Sequence, residues 1–127
     1  MPDYMLLLYA DEGSPAEQEA RQAEMPLWQE FTDSLREAGL LVGSDRLYPV
    51  DSATTVRVRD RETQVTDGPF AMTKELLGGY YILRCADLDE AIKHAARVPL
   101  ARYGSVEVRP LMEIGARAAT GEAATAA

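Results

Sequence analysis

A chain of 127 residues, 46% hydrophobic and 27% charged, has the size and composition of one globular domain with one modest core. Its formal net charge is −8, with two lysines among thirteen basic residues, and such a field repels phosphate backbones and anionic lipid surfaces, which argues against nucleic-acid and membrane partners. The apolar runs are too short to span a bilayer and the N-terminus lacks the basic start and apolar stretch of a signal peptide, so a cytoplasmic location is expected.

Tyr4 to Tyr9 (YMLLLY) is apolar at every position, as expected of a central strand buried on both faces. Ser14-Pro15-Ala16-Glu17 then reads as a helix start, with Ser14 the N-cap, Pro15 the first helical residue and Glu17 the returning partner of a capping box. Pro26 removes a backbone donor and predicts a kink or restart near Met25. Beyond it, Trp28, Phe31, Leu35 and Ala38 make one apolar stripe, and Gly39 suits the left-handed residue that closes a helix.

Leu40 to Tyr48 reads as a second strand with an irregularity at Gly43, and Thr54 to Arg59 (TTVRVR) as a third with one wet face. Asp60-Arg61-Glu62 is a polar turn, from which Thr63 to Thr66 pairs back as a hairpin. Gly79 to Cys85 is a further strand whose two tyrosines face opposite ways. Asp87 caps a second long helix with Leu88, Ala91, Ile92, Ala95 and Val98 as its stripe and Pro99 as its end, and Ser105 to Leu111 is the last strand. From Gly115 onward no large apolar side chain occurs, so residues 1–114 are expected to form the domain and 115–127 an unstructured Ala-rich tail.

This order of elements is that of an α+β, ferredoxin-like split βαβ domain, with two helices on one face of an antiparallel sheet. The apolar residues on the other face would then be left wet, and a second copy packing sheet to sheet would cover them. A homodimer is expected on that ground. Cys85 and His94 are the only cysteine and histidine, so no intrachain disulfide and no multi-histidine or thiolate metal site can form, and no cofactor or metal is expected.

The segment Val65-Thr66-Asp67-Gly68-Pro69-Phe70-Ala71-Met72-Thr73-Lys74-Glu75, followed by Leu77-Gly78-Gly79-Tyr80, resembles the signature of the DGPF, or YCII-related, family. Supporting pieces follow in order: Ala38-Gly39-Leu40, Thr54 to Val56, Asp87 to Ala91, Ala95-Ala96, Pro99, and Ser105 to Pro110. The resemblance implies a dimeric α+β barrel, a shape shared with small isomerases, monooxygenases and chlorite-degrading enzymes, without implying a shared reaction. It also implies a possible regulatory link, since members resemble proteins encoded beside or fused to extracytoplasmic-function sigma factors. Two departures stand out. Met72 replaces the glutamate of the usual signature, and the stretch from Met25 to Ala38 lacks the histidine that relatives carry there, with Trp28 at about its place.

Asp67 is the candidate catalytic residue: a carboxylate held by a Gly-Pro turn at a pocket mouth can carry a proton. Asp-Gly-Pro is equally a turn in its own right, with the carboxylate bonded to nearby backbone donors. Trp28, Phe31, Tyr81, Phe70, Lys74 and Glu75 are the candidate ligand-pocket residues. Each has a plainer use: the aromatic rings as core, with Phe70 plugging its loop inward, and the adjacent Lys74 and Glu75 as a solvated pair. His94 falls off the apolar stripe, toward the exposed edge of its helix. Arg46, Arg57, Arg59 and Arg109 are candidate cations for an acidic substrate, or simply solvated strand residues.

Two functions compete on these residues. One is a cofactor-independent enzyme of lactone-isomerase or hydrolase type that uses Asp67 as proton carrier on a small, partly apolar metabolite. The other is a non-catalytic dimeric ligand-binding or regulatory module, associated with a sigma factor, in which the loop is a structural clasp.

Overall fold

The structure is a computed structural model and describes residues 1–113. Six strands form, β1 (Asp3–Ala10), β2 (Leu41–Arg46), β3 (Thr54–Arg59), β4 (Glu62–Asp67), β5 (Leu76–Arg84) and β6 (Ser105–Pro110), with helices α1 (Pro15–Gln22), α2 (Met25–Glu37) and α3 (Leu88–Ala95). Short 3-10 turns cover Val50–Ser52 and Pro99–Arg102. Four strands make an antiparallel sheet in the order β2-β5-β1-β6, while β3 and β4 stand apart as a hairpin inserted between β2 and β5. This is an α+β fold with the split βαβ arrangement. Among the described residues no helix is long and apolar enough to cross a membrane. The expected tail from Gly115 lies outside the described residues.

β1 is the central strand, bonded to β5 on one side and β6 on the other. Its residues alternate: Tyr4, Leu6 and Leu8 are buried, whereas Met5, Leu7 and Tyr9 are only half-buried. Full burial on both faces, expected from YMLLLY, is therefore not reached within one chain, because the helices cover one side alone. On that side Leu6 and Leu83 from the sheet, Leu35 from α2 and Ala91 and Ala95 from α3 close the core. Burial of each large aliphatic side chain contributes about 1.5–3 kcal/mol. Ile82 is buried but lies outside this cluster, in register with Met5 and Gly43 on the opposite face.

The helix boundaries follow local chemistry. Ser14 Oγ accepts from Glu17 N at 3.1 Å and Glu17 Oε1 accepts from Ser14 N at 2.9 Å, the reciprocal capping box that opens α1. The chain breaks at Ala23-Glu24 and restarts at Met25, with Pro26 in the first turn of α2, where its missing donor costs nothing. The restart expected near Met25 thus divides the first helical stretch into α1 and α2. α1 buries no residue, so α2 and α3 form the covering layer. α2 ends in a Schellman arrangement: Gly39 has φ +74° and Leu40 N donates to Leu35 O at 3.0 Å.

Asp87 caps α3 by accepting from Glu90 N at 2.9 Å. The buried stripe of α3 differs from the expected one. Leu88 and Ile92 are about half exposed, and the buried line is Ala91 and Ala95, continued by Val98. The alanines let the helix axis approach the sheet, which turns the larger side chains to the flank. Pro99 ends this segment but also opens a 3-10 turn that returns the chain to β6.

Candidate functional site

Asp67 is the last residue of β4, in register with Thr54. The turn after it is held without its carboxylate. Gly68, at φ +96°, donates its N–H to Ala53 O at 2.7 Å, and Thr55 Oγ1 donates to Gly68 O at 2.8 Å. Asp67 itself is exposed and makes no hydrogen bond or ion pair among the described residues. Its carboxylate bonds no backbone donor among the described residues, and it is not among the residues lining the two grooves described below.

Downstream, Phe70 is 78% exposed and Met72 71% exposed. Phe70 therefore does not plug the loop into the core of its own chain, because the helix-side space is already filled by Phe31, Leu35 and Tyr81. Lys74 is exposed, and Glu75, half-buried, accepts from Ser105 Oγ at 2.7 Å, which ties the end of the loop to the start of β6. Lys74 and Glu75 do not pair with each other among the described residues.

Phe31 and Tyr81 do come together, edge to face, with ring centroids 5.3 Å apart at 79°. The Tyr81 hydroxyl shares a 2.7 Å hydrogen bond with Thr32 Oγ1, and burial raises its pKa above the usual phenol value. Trp28 packs half-buried against the same core. The candidate residues are thus divided between a packed aromatic core on the helix side and an exposed loop carrying Asp67, Phe70 and Lys74. Of these candidates only Phe31 is among the residues lining the two grooves described below.

Two arrangements were not anticipated from sequence. On the sheet face away from the helices, Tyr80 donates to Asp45 and Tyr9 donates to Glu107 Oε1 at 3.2 Å. Register sets Asp45, Tyr80, Leu7 and Glu107 in one row across all four strands. Both phenols titrate above their ordinary value, Tyr80 chiefly through its bond to Asp45 and Tyr9 chiefly through desolvation. Strand alternation alone could have placed these residues on a common face, had the register been known.

The second arrangement is a groove of about 310 Å³ between α2 and the segment from Ala96 to Arg102, walled by Leu27, Glu30, Phe31, Ser34, Arg97 and Arg102 among others. A larger hollow of about 560 Å³ is bounded by α2 alone and is rimmed by Glu30, Asp33 and Glu37. His94 stands half-buried beside the smaller groove, with Nδ1 3.0 Å from Arg97 Nη1. Its pKa is lowered, first by burial and then by the Arg97 charge. The helix periodicity had placed His94 at an exposed edge, and the rotation of α3 about its alanines moves it toward α2.

Comparison with known proteins brings these features under one family. An uncharacterized protein of Rhizobium meliloti (strain 1021) is 51% identical over 77 residues, a match that takes in 59% of this chain and 62% of the relative. The matched part is thus under two thirds of that relative's length. The model of the YCII-related domain matches residues 3–115, which spans every strand and helix described above. The chain belongs to the YCII-related domain family.

Proposed function

We propose that this chain acts as a homodimer, sheet on sheet, whose loops from Asp67 to Glu75 help enclose a small, partly apolar metabolite, with Asp67 as proton carrier in a cofactor-independent reaction of isomerase or hydrolase type. One observation carries this reading. Asp67 carries a spare carboxylate on a hydrogen-bonded turn, unbonded among the described residues, a few positions before the exposed side chains of Phe70 and Met72. A carboxylate whose turn does not need it is available to a substrate, where it takes a proton from one carbon and returns it at another.

The dimer is supported by the sheet face that the helices leave open, where Met5, Leu7 and Ile82 are flanked by Tyr9 and Tyr80. A second copy supplies a matching surface by symmetry.

The test is Asp67→Asn, assayed for turnover on substrates found by a metabolite screen of the wild-type protein. Since Gly68 and Thr55 make the turn, the variant should keep its melting temperature within about 3 °C and its sedimentation as a dimer, while turnover falls by about a hundredfold or more. Undiminished turnover would remove Asp67 as the proton carrier. The alternative, a non-catalytic ligand-binding or regulatory module linked to a sigma factor, draws on the exposure of Asp67, which is not among the residues lining the two grooves described above. It predicts ligand binding without conversion, unaffected by Asp67→Asn, and copurification of a sigma factor.

A further inference from the structure

The geometry points to the groove between α2 and the segment from Ala96 to Arg102 as a binding site for a small organic anion, its charged head held between Arg97 and Arg102 and its apolar body against Leu27. The groove lies on the helix layer, away from the open sheet face and from Asp67, so it is independent of the function proposed above.

Arg97 is held in place by neutral groups only. Its Nη1 donates to His94 Nδ1 at 3.0 Å, its Nη2 donates to Ser34 Oγ at 2.7 Å, and its guanidinium stands 5.3 Å from the centroid of the Phe31 ring. Arginine cannot accept, so His94 Nδ1 must, which makes His94 neutral with its proton on Nε2. The Ser34 hydroxyl in turn donates to Phe31 O at 2.7 Å, leaving its oxygen free to accept from Arg97. Arg97 makes no ion pair among the described residues. It is a positioned cation whose charge has no carboxylate partner.

Arg102 is positioned differently, by an ion pair from Nη2 to Glu24 Oε1 at 2.7 Å and by Nε donating to Pro99 O at 3.3 Å, which leaves its remaining N–H groups for a ligand. Both arginines line the same groove of about 310 Å³, a volume suited to a small ligand. In a chain of net charge −8 the mean field disfavours anions, and with Arg102 sharing its charge with Glu24, it is Arg97 that brings a cation without an ion pair among the described residues to this groove. Planar guanidinium groups match the oxygens of a carboxylate or a phosphate, two bonds at a time. Glu30 on the opposite wall limits the charge the groove can take, which favours a monoanion.

Sodium benzoate and inorganic phosphate are suitable probes, titrated into the isotopically labelled full chain while backbone amides of residues 27–34 and 96–102 and the arginine Nε–H signals are followed by NMR. Saturable shifts confined to those signals are expected with benzoate, and none with neutral benzyl alcohol. Binding should weaken about tenfold in Arg97→Gln and in Arg102→Gln, the loss of one charge-assisted pair. It should tighten about threefold in Glu30→Gln, an exposed substitution that removes a repelling charge without threatening the fold. Tighter binding of phosphate than of benzoate would assign the head group to phosphate, and the converse to carboxylate. The proposal is overturned if neither probe saturates below concentrations on the order of 50 mM, or if Arg102→Gln and Glu30→Gln leave binding unchanged.

Discussion

His94 and Cys85, the sole members of their residue types, illustrate how burial decides what a side chain can do. Burial pushes the Cys85 thiol up to about 11, with Glu90 and Asp87 adding to the shift, so it stays protonated near neutrality and packs as a small hydrophobe. His94 is shifted the other way, below its ordinary value of 6.5, because burial and Arg97 both oppose its charged form. The unfolded chain therefore binds a proton at a higher pH than the folded one. Stability should fall as pH drops through about 6.5 and level off below the folded value. His94→Gln should flatten that part of the profile in urea melts between pH 7.5 and 5, and an unchanged slope would assign it to other groups. Asp67 shows the limit of residue-scale reading. Its identity as a candidate came from the sequence, but its having no side-chain partner among the described residues goes with Gly68 and Thr55, which satisfy the turn in its place.

At the scale of elements, the signals that came through were those with short-range causes. The Ser14 capping box, the Asp87 cap, the Gly39 helix end and the restart at Met25 all depend on residues within a few positions of one another. The hairpin of β3 and β4 was also legible from TTVRVR and its polar turn, and its turn residues Asp60 and Arg61 both take positive φ, 51° and 65°. That geometry suits a two-residue hairpin turn but strains residues with a Cβ. Asp60→Asn combined with Arg61→Gly should relieve the strain by about 1 kcal/mol, read as slower amide exchange along the hairpin. Exchange that stays the same or speeds up would show that the turn is not limiting. What local signals missed was the face that α3 presents. Leu88 and Ile92 are the larger side chains, yet the smaller Ala91 and Ala95 occupy the contact because they permit closer approach.

For the whole molecule, the unequal faces of the sheet dominate. The helix side holds the core, while the other side presents Met5, Leu7 and Ile82 between two phenol–carboxylate pairs. The hairpin adds further exposed apolar groups, with Val56, Val58 and Val65 each about 60% exposed on one of its faces. A two-stranded hairpin is marginal in water by itself, and a second chain lying against it would remove that penalty. Leu7→Glu places a charge at the centre of the open face without entering the helix-side core. It should convert the sedimenting species from dimer to monomer at micromolar concentration with far-UV dichroism intact, whereas a wild-type protein that is already a monomer would end the sheet-on-sheet reading.

From its residues alone the chain could be placed as an α+β fold of the YCII-related family, since strand and helix periodicities, caps and the motif around Asp67 are local patterns that need no knowledge of distant contacts. The division of the candidate site could not be read that way. Phe31 and Tyr81 meet in the core, Asp67 and Phe70 stand exposed on an inserted hairpin and loop, and Arg97 with His94 turns toward α2. Each of those outcomes depends on strand register, helix rotation and the packing of residues far apart in the chain, which side-chain identity does not encode position by position.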